Sequence, residues 1–158
     1  MSRIPKNVYY LHIAREVALR GTCLRRNFGA VIVKNDEIIS TGYTGAPRGA
    51  KNCCDLGYCK RQKLNIPRGE RYELCRSVHA EQNALLSASR QETQDATLYL
   101  FGWEAESEKP LKDPEPCLLC RRMVINMGIS KVVTPVFNEA DEVIGSTAVC
   151  PSDWLEEE

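Results

Sequence analysis

At 158 residues the chain holds one domain with one core, and its 43% hydrophobic and 27% charged residues exclude a disordered or fibrous class. Lys plus Arg and Asp plus Glu each total 21, so no basic excess marks a nucleic-acid partner, and no stretch approaches the roughly 18 apolar residues of a membrane span. Residues 1–8 are polar and include Pro5, without the apolar centre of an export signal; the expected compartment is the cytoplasm, where the eight cysteines serve as metal ligands or buried thiols rather than disulfides.

Residues 7–20 set Val8, Leu11, Ala14 and Ala18-Leu19 three and four apart, the period of an amphipathic helix, with Asn7 as its cap and Gly21 as its stop. Residues 28–33 and 37–43 are β-rich runs joined by Lys34-Asn35-Asp36, which predicts an antiparallel hairpin. From 44 to 75 the chain is rich in Gly, Pro, Arg and Cys and has no sustained period apart from a short helix around 59–64. This reads as a cysteine-rich, ordered insertion loop.

Residues 79–89 predict a helix with Ala80, Ala84, Leu85 and Ala88 on its apolar face. A third strand follows at 96–101, then a polar stretch over 102–115, and Pro116-Cys117 opens a helix that runs to about Met127 and stops at Gly128. Residues 131–134 form a fourth strand, and the strand–helix–strand order predicts parallel pairing for the later strands. A short strand and a terminal helical turn are expected between Phe137 and Glu158.

Cys117-Leu118-Leu119-Cys120 puts two sulfurs at i and i+3 on one face of a helix start, where unpaired amides and the helix dipole favour thiolate. By itself the spacing fits a metal pair or a redox pair equally well. His79-Ala80-Glu81, at the start of another helix, changes the reading: one His and two Cys make three ligands, the set of a catalytic zinc, which leaves a fourth position for water. Glu81, two residues from His79, stands as the base that does not ligate.

With His79-Ala80-Glu81 followed by Pro116-Cys117-Leu118-Leu119-Cys120, the chain resembles the cytidine and deoxycytidylate deaminase superfamily, whose signature is histidine-x-glutamate and then proline-cysteine-x-x-cysteine. Gly29-Ala30-Val31-Ile32-Val33, Thr41-Gly42-Tyr43-Thr44-Gly45-Ala46-Pro47, His79-Ala80-Glu81-Gln82-Asn83-Ala84 and Gly128-Ile129 resemble its deoxycytidylate branch, so the likeness covers roughly residues 8–136.

The resemblance implies a single α/β domain over residues 1–158, three layers in the order α/β/α around a mixed five-stranded sheet. It implies hydrolytic deamination of dCMP to dUMP and ammonia, a supply step for dTMP synthesis, with Zn²⁺ on His79, Cys117 and Cys120 generating the hydroxide that attacks C4. Glu81 then moves the water proton to ring N3 and helps ammonia leave. Homo-oligomers, commonly hexamers, and allosteric nucleoside triphosphate effectors belong to the same expectation, with no nucleic-acid or membrane partner.

Substrate contacts are expected from Thr44, which replaces the Asn of the branch's Gly-Tyr-Asn-Gly, from Asn83 at the sugar, and from Arg26, Arg48 or Arg76 as a fork for a monophosphate. Tyr99 and Phe101 either stack on the pyrimidine or fill the core. Cys23, Cys53, Cys59 and Cys75 read as a second, closed zinc site that pins the loop, or as buried and free thiols, with Cys54 able to replace Cys53 and Cys150 unpaired. Residues 102–115 read as a lid or an oligomer contact. Rival functions are a deaminase of another cytosine nucleoside, nucleotide or related ring, and a non-catalytic zinc protein of DNA uptake. The intact Glu81 weighs against the latter, because a structural site gains nothing from a carboxylate that does not ligate.

Overall fold

The computed structural model describes residues 1–156. Helix α1 (Lys6–Ala18) leads into the hairpin of β1 (Arg26–Lys34) and β2 (Glu37–Tyr43). The hairpin turns on Asn35 and Asp36, both left-handed at φ 52° and 62°, the pair a tight two-residue turn requires. Two four-residue helices, α2 (Cys53–Leu56) and α3 (Lys60–Lys63), and a 3₁₀ turn at Tyr72–Leu74 punctuate the cysteine-rich loop. Then come α4 (Ala80–Leu86), α5 (Arg90–Thr93), β3 (Thr97–Glu104), β4 (Lys109–Pro110), α6 (Leu118–Asn126), β5 (Lys131–Phe137), β6 (Val143–Val149) and a closing 3₁₀ turn at Pro151–Glu156.

The strands pair in the order β2-β1-β3-β5-β6, with the two-residue β4 added to the end of β3, so the described sheet has six strands where five were expected. The extra strand arises inside 102–115, which folds back on β3 as a hairpin held by Leu111 N–H donating to the Gly102 carbonyl at 2.8 Å. Parallel pairing is confined to β3 with β5, across the α6 crossover; β5 and β6 are antiparallel, because a short turn rather than a helix joins them.

Alternation along the strands divides the core into two faces. Ala30, Ile32, Leu98, Leu100 and Val132 pack under α4 and α6 with Ala80, Ala84, Leu85 and Val124, while Val31, Val33, Tyr99, Phe101 and Val133 pack under α1 with Tyr10, Leu11, Ala14 and Ala18. Three layers result. Each large apolar side chain buried this way stabilises the domain by about 1.5–3 kcal/mol relative to exposure.

Two glycines let helices press directly on the sheet. A Cβ at Gly29 would lie 2.2 Å from the Ala14 carbonyl oxygen, and one at Gly42 would lie 2.3 Å from Ala84 N and 2.4 Å from the Ala80 carbonyl oxygen. The second contact fixes where α4 begins. Asn7 does not cap α1, whose N-cap is Pro5; its amide instead donates to Ser146 Oγ and its carbonyl accepts from the Tyr99 hydroxyl at 2.8 Å, so a tertiary bond replaces the local one.

Candidate active site

Helices α4 and α6 start side by side on the same face of the sheet, α4 set by the Gly42 contact and α6 by the β3–β5 crossover. His79 is the N-cap of α4, its N–H donating to Gln82 Oε1 at 2.8 Å, and Cys117 is the N-cap of α6 with Cys120 in the first turn. His79 Nδ1 lies 3.4 Å from each of the two sulfurs, and the donor atoms of all three residues fall within 4.8 Å of one another. A tetrahedral ion with Zn–S of about 2.3 Å and Zn–N of about 2.05 Å would set sulfur and nitrogen about 3.6 Å apart, so the trio already has the spacing of three zinc ligands. Tyr72 meets the His79 ring edge-on at 5.3 Å and 89°, which steadies the imidazole plane.

The electrostatics of the trio follow from its crowding. The Cys117 thiol is pulled down to about 4, first by the hydrogen bond from Cys120 and then by His79. Cys120, which donates that bond and is wholly buried, is pushed up. Contact with Cys117 raises His79 against the opposing effect of burial. Glu81, 4% exposed in the first turn of α4, is pushed up to about 7 chiefly because burial penalises its charge.

His79, Glu81 and Cys117 open onto a cavity of about 690 Å³ whose wall includes Phe28, Thr44 and the buried Arg61, with Arg25, Arg26 and Arg68 also lining it. Arg61 is 6% exposed; its Nε and an Nη donate to the carbonyls of Glu70 and Pro67 at 3.0 and 3.2 Å, and its guanidinium stacks 4.7 Å from the Tyr72 ring centre. Among the described residues its charge is matched by no ion pair. A larger cavity of about 830 Å³ lies behind the Glu115–Pro116 segment, against β5, β6 and Trp154, and holds none of the trio nor Glu81.

The expected substrate contacts divide. Thr44 and Arg26 line the cavity, although Thr44 Oγ1 already accepts the Phe28 N–H at 2.9 Å and Arg26 is paired with Glu104 at 2.9 Å. Asn83 is not in the cavity wall and donates to the Tyr43 carbonyl at 2.8 Å, tying β2 to α4. Arg48 and Arg76 also lie outside the wall, Arg76 donating to the Lys51 carbonyl. Tyr99 and Phe101 are corrected to core residues: odd positions of β3 face α1, the layer opposite the site.

Of the cysteines outside the trio, Cys53 and Cys59 are buried, Cys23 and Cys75 half-buried, and Cys54 and Cys150 exposed. Burial raises the thiols of Cys53 and Cys75, and each feels Cys23 and Cys59 nearby. The Arg25 N–H donates to Cys23 Sγ at 3.4 Å, and the Ser77 N–H points at the Cys75 sulfur. The four sulfurs are nevertheless not drawn together as His79, Cys117 and Cys120 are. The sequence alone assigns no specific role to Arg61, Tyr72 or Arg121. Arg61 falls in the four-residue α3 and Tyr72 in the aperiodic remainder of the loop, neither long enough to show a face, whereas the spacing of Arg121, one turn after Cys117, offers a signal.

The description "cytidine and deoxycytidylate deaminase zinc-binding region" matches residues 5–136. The chain is 37% identical to the deoxycytidylate deaminase of Mycobacterium phage D29, covering 85% of this chain and 98% of that one. It is 36% identical over 126 residues to the deoxycytidylate deaminase of Schizosaccharomyces pombe, covering 79% of this chain and 35% of that protein; against the Saccharomyces cerevisiae enzyme the share is 38%, so it spans little over a third of these two relatives. In fold it resembles the dCMP deaminase of cyanophage S-TIM5, solved with dCMP and dUMP, at a TM-score of 0.56 and 24% identity over 82% of each chain.

Proposed function

The chain belongs to the cytidine and deoxycytidylate deaminase family, and from that premise we propose that it hydrolyses dCMP to dUMP and ammonia. The observation that carries the proposal is the buried Glu81 beside a preformed His79, Cys117 and Cys120 trio in a cavity lined by arginines. Zinc on those three ligands would supply a Lewis acid that acidifies water at its open fourth position.

The chain's own groups do the rest. Glu81, its carboxyl raised by burial, accepts the first water proton as the oxygen adds to C4 and delivers it to ring N3; it then takes the remaining proton from the new C4 hydroxyl and passes it to the amine, so that ammonia leaves as the C4–N bond breaks and the C4–O bond becomes a carbonyl. Low dielectric around Glu81 brings its proton affinity close to that of the groups it serves, which suits a shuttle that must give and take. The guanidinium groups lining the cavity favour a substrate carrying a monophosphate over a neutral nucleoside.

Ammonia release from dCMP tests this, run beside a Glu81→Ala protein whose zinc content is measured. Release by the wild type that is lost in a zinc-replete mutant supports both the reaction and the shuttle. Silence on dCMP, on other cytosine nucleosides and nucleotides and on related rings overturns it in favour of a non-catalytic zinc protein.

Further parts of the reading are proposals of the same standing. A second, structural zinc on Cys23, Cys53, Cys59 and Cys75 is supported by the burial of Cys53 and Cys59, by the electrostatic influence of Cys23 and Cys59 on Cys53 and Cys75, and by backbone N–H groups aimed at Cys23 and Cys75, a way of stabilising thiolate charge. A hexamer, nucleoside triphosphate control and a cytoplasmic setting, in which eight free cysteines stay reduced, complete it.

A further inference from the structure

We propose that Arg121 is a positioning residue whose guanidinium clamps the Pro116 carbonyl and so fixes the backbone that carries Cys117. The inference rests on the reading of Cys117 as a metal ligand. Arg121 Nε donates to the Pro116 carbonyl at 3.1 Å, an Nη donates to Glu115 Oε2 at 2.9 Å, and the guanidinium carbon lies 5.0 Å from the centre of the Trp154 ring. The backbone N–H of the same residue donates to the Cys117 carbonyl at 2.9 Å. One residue therefore holds the peptide carbonyls on both sides of the Cys117 Cα.

The sequence explains why such a clamp has work to do. The ring of Pro116 locks its φ, so ψ alone sets the direction of the Pro116 carbonyl and with it the plane of the Pro116–Cys117 peptide. A hydrogen bond to that oxygen thus fixes the peptide plane from which Cys117 enters α6. The carbonyl bond carries the effect more than the ion pair does: the Arg121 side chain is 18% exposed, while that of Glu115 is 68% exposed and screened by water. Trp154, from the closing 3₁₀ turn, packs against the core under α6 and gives the guanidinium a face to lie on. Arg121 lines both cavities, so the clamp forms part of the wall between them. Only a planar fork reaches a carbonyl, a carboxylate and an indole face together; the point charge of a lysine does not.

The test compares wild type, Arg121→Lys and Trp154→Leu by three readings: amide exchange of residues 112–117 in the metal-free protein, the thiolate-to-metal absorption of the cobalt-loaded protein, and kcat and KM on dCMP. Arg121→Lys is expected to exchange faster over 112–117 and to shift the cobalt–thiolate band. It should also lower kcat about 10–100-fold with KM nearly unchanged, the range seen when an outer partner of a metal ligand is removed. Trp154→Leu moves the same readings by less, and carries the test if Arg121→Lys does not fold. Wild-type exchange in both variants overturns the clamp whether or not metal binds. A wild-type protein that takes up no cobalt overturns the reading of the trio, and the exchange measurement then decides the clamp alone. A lysine variant with wild-type kcat and an unshifted band also overturns it, because charge without the fork would then suffice.

Discussion

The chain carries two sulfur-rich regions, and they are built on opposite principles. His79, Cys117 and Cys120 sit at the starts of helices that the sheet holds in place, and their donor atoms converge to within 4.8 Å. Cys53, Cys59 and Cys75 hang on an insertion whose own helices are four residues long, Cys23 lies in the α1–β1 connection, and the four sulfurs do not gather as the trio's donors do. The insertion is nevertheless closed at its base: Gly45 and Val78 exchange backbone bonds at 3.2 and 2.7 Å one residue before His79, and Asn52 Oδ1 accepts from Ala46 N–H and Thr22 Oγ1. A site carried by the core is preorganised by packing, whereas a site carried by a loop leaves the last step of its assembly to the ligand it binds.

If that contrast holds, the two regions break differently. Cys120→Ala should abolish deamination and catalytic zinc together, yet leave a cooperatively folding protein, since the core around α4 and α6 does not depend on the ion; circular dichroism beside a metal assay checks both. A Cys120→Ala chain that no longer folds would show that metal, not packing, assembles the trio. Gly42→Ala attacks the packing instead. The new methyl would meet α4 backbone at 2.3 Å, so α4 must shift and carry His79 and Glu81 with it. Overpacking of this kind costs about 1–3 kcal/mol, and misplacement near 1 Å can cost about 100-fold in rate, so kcat should fall by that order while zinc is retained.

Arg61 links the two regions, since the insertion delivers it to the cavity as a buried cation matched by no carboxylate among the described residues' ion pairs. Burying an unpaired charge is costly, and a substrate monophosphate would supply the missing partner. Arg61→Met should raise KM for dCMP about tenfold or more, the worth of a charge-assisted hydrogen bond at about 1.5–3 kcal/mol, while leaving the rate on deoxycytidine unchanged. Equal losses on both substrates would assign Arg61 to loop structure alone.

What the sequence discloses follows the same division. The hairpin, β3, β5 and the helices that carry the trio were legible because alternation and helical period leave marks that packing then honours: Gly29 and Gly42 read as part of a pattern and proved to be contact points. Tyr99 illustrates the limit, for its residue type suits a stacking platform and only the parity of β3 assigns it to the α1 face. Asn7 shows another, a good cap by composition that tertiary structure recruits to Tyr99 and Ser146. Within the insertion, cysteine content marks the segment, but Arg61 and Tyr72 have no sustained period to betray them, because α3 is only four residues long and their neighbours are set by loop closure rather than by a repeating backbone.

Cys59→Ala makes the smallest change to chemistry and the sharpest test of the contrast. Cys59 is buried beside Cys53 and Cys75 but lines no part of the catalytic cavity. If the loop holds a zinc, the wild type should carry about two ions per chain and the variant about one, as expected for a four-ligand site that loses one thiolate. Activity on dCMP should stay within a few-fold, because the Gly45–Val78 closure still delivers His79, although amide exchange across 53–75 should quicken. Each kcal/mol lost with the ion should lower Tm by about 2–4 °C in a domain of this size. A wild-type protein with one zinc overturns the loop site and leaves its thiols as packing. Two zincs with activity lost in Cys59→Ala would instead erase the contrast: the loop metal would then be completing the active site through Arg61 and Tyr72, and preorganisation by the core would be only half of what builds it.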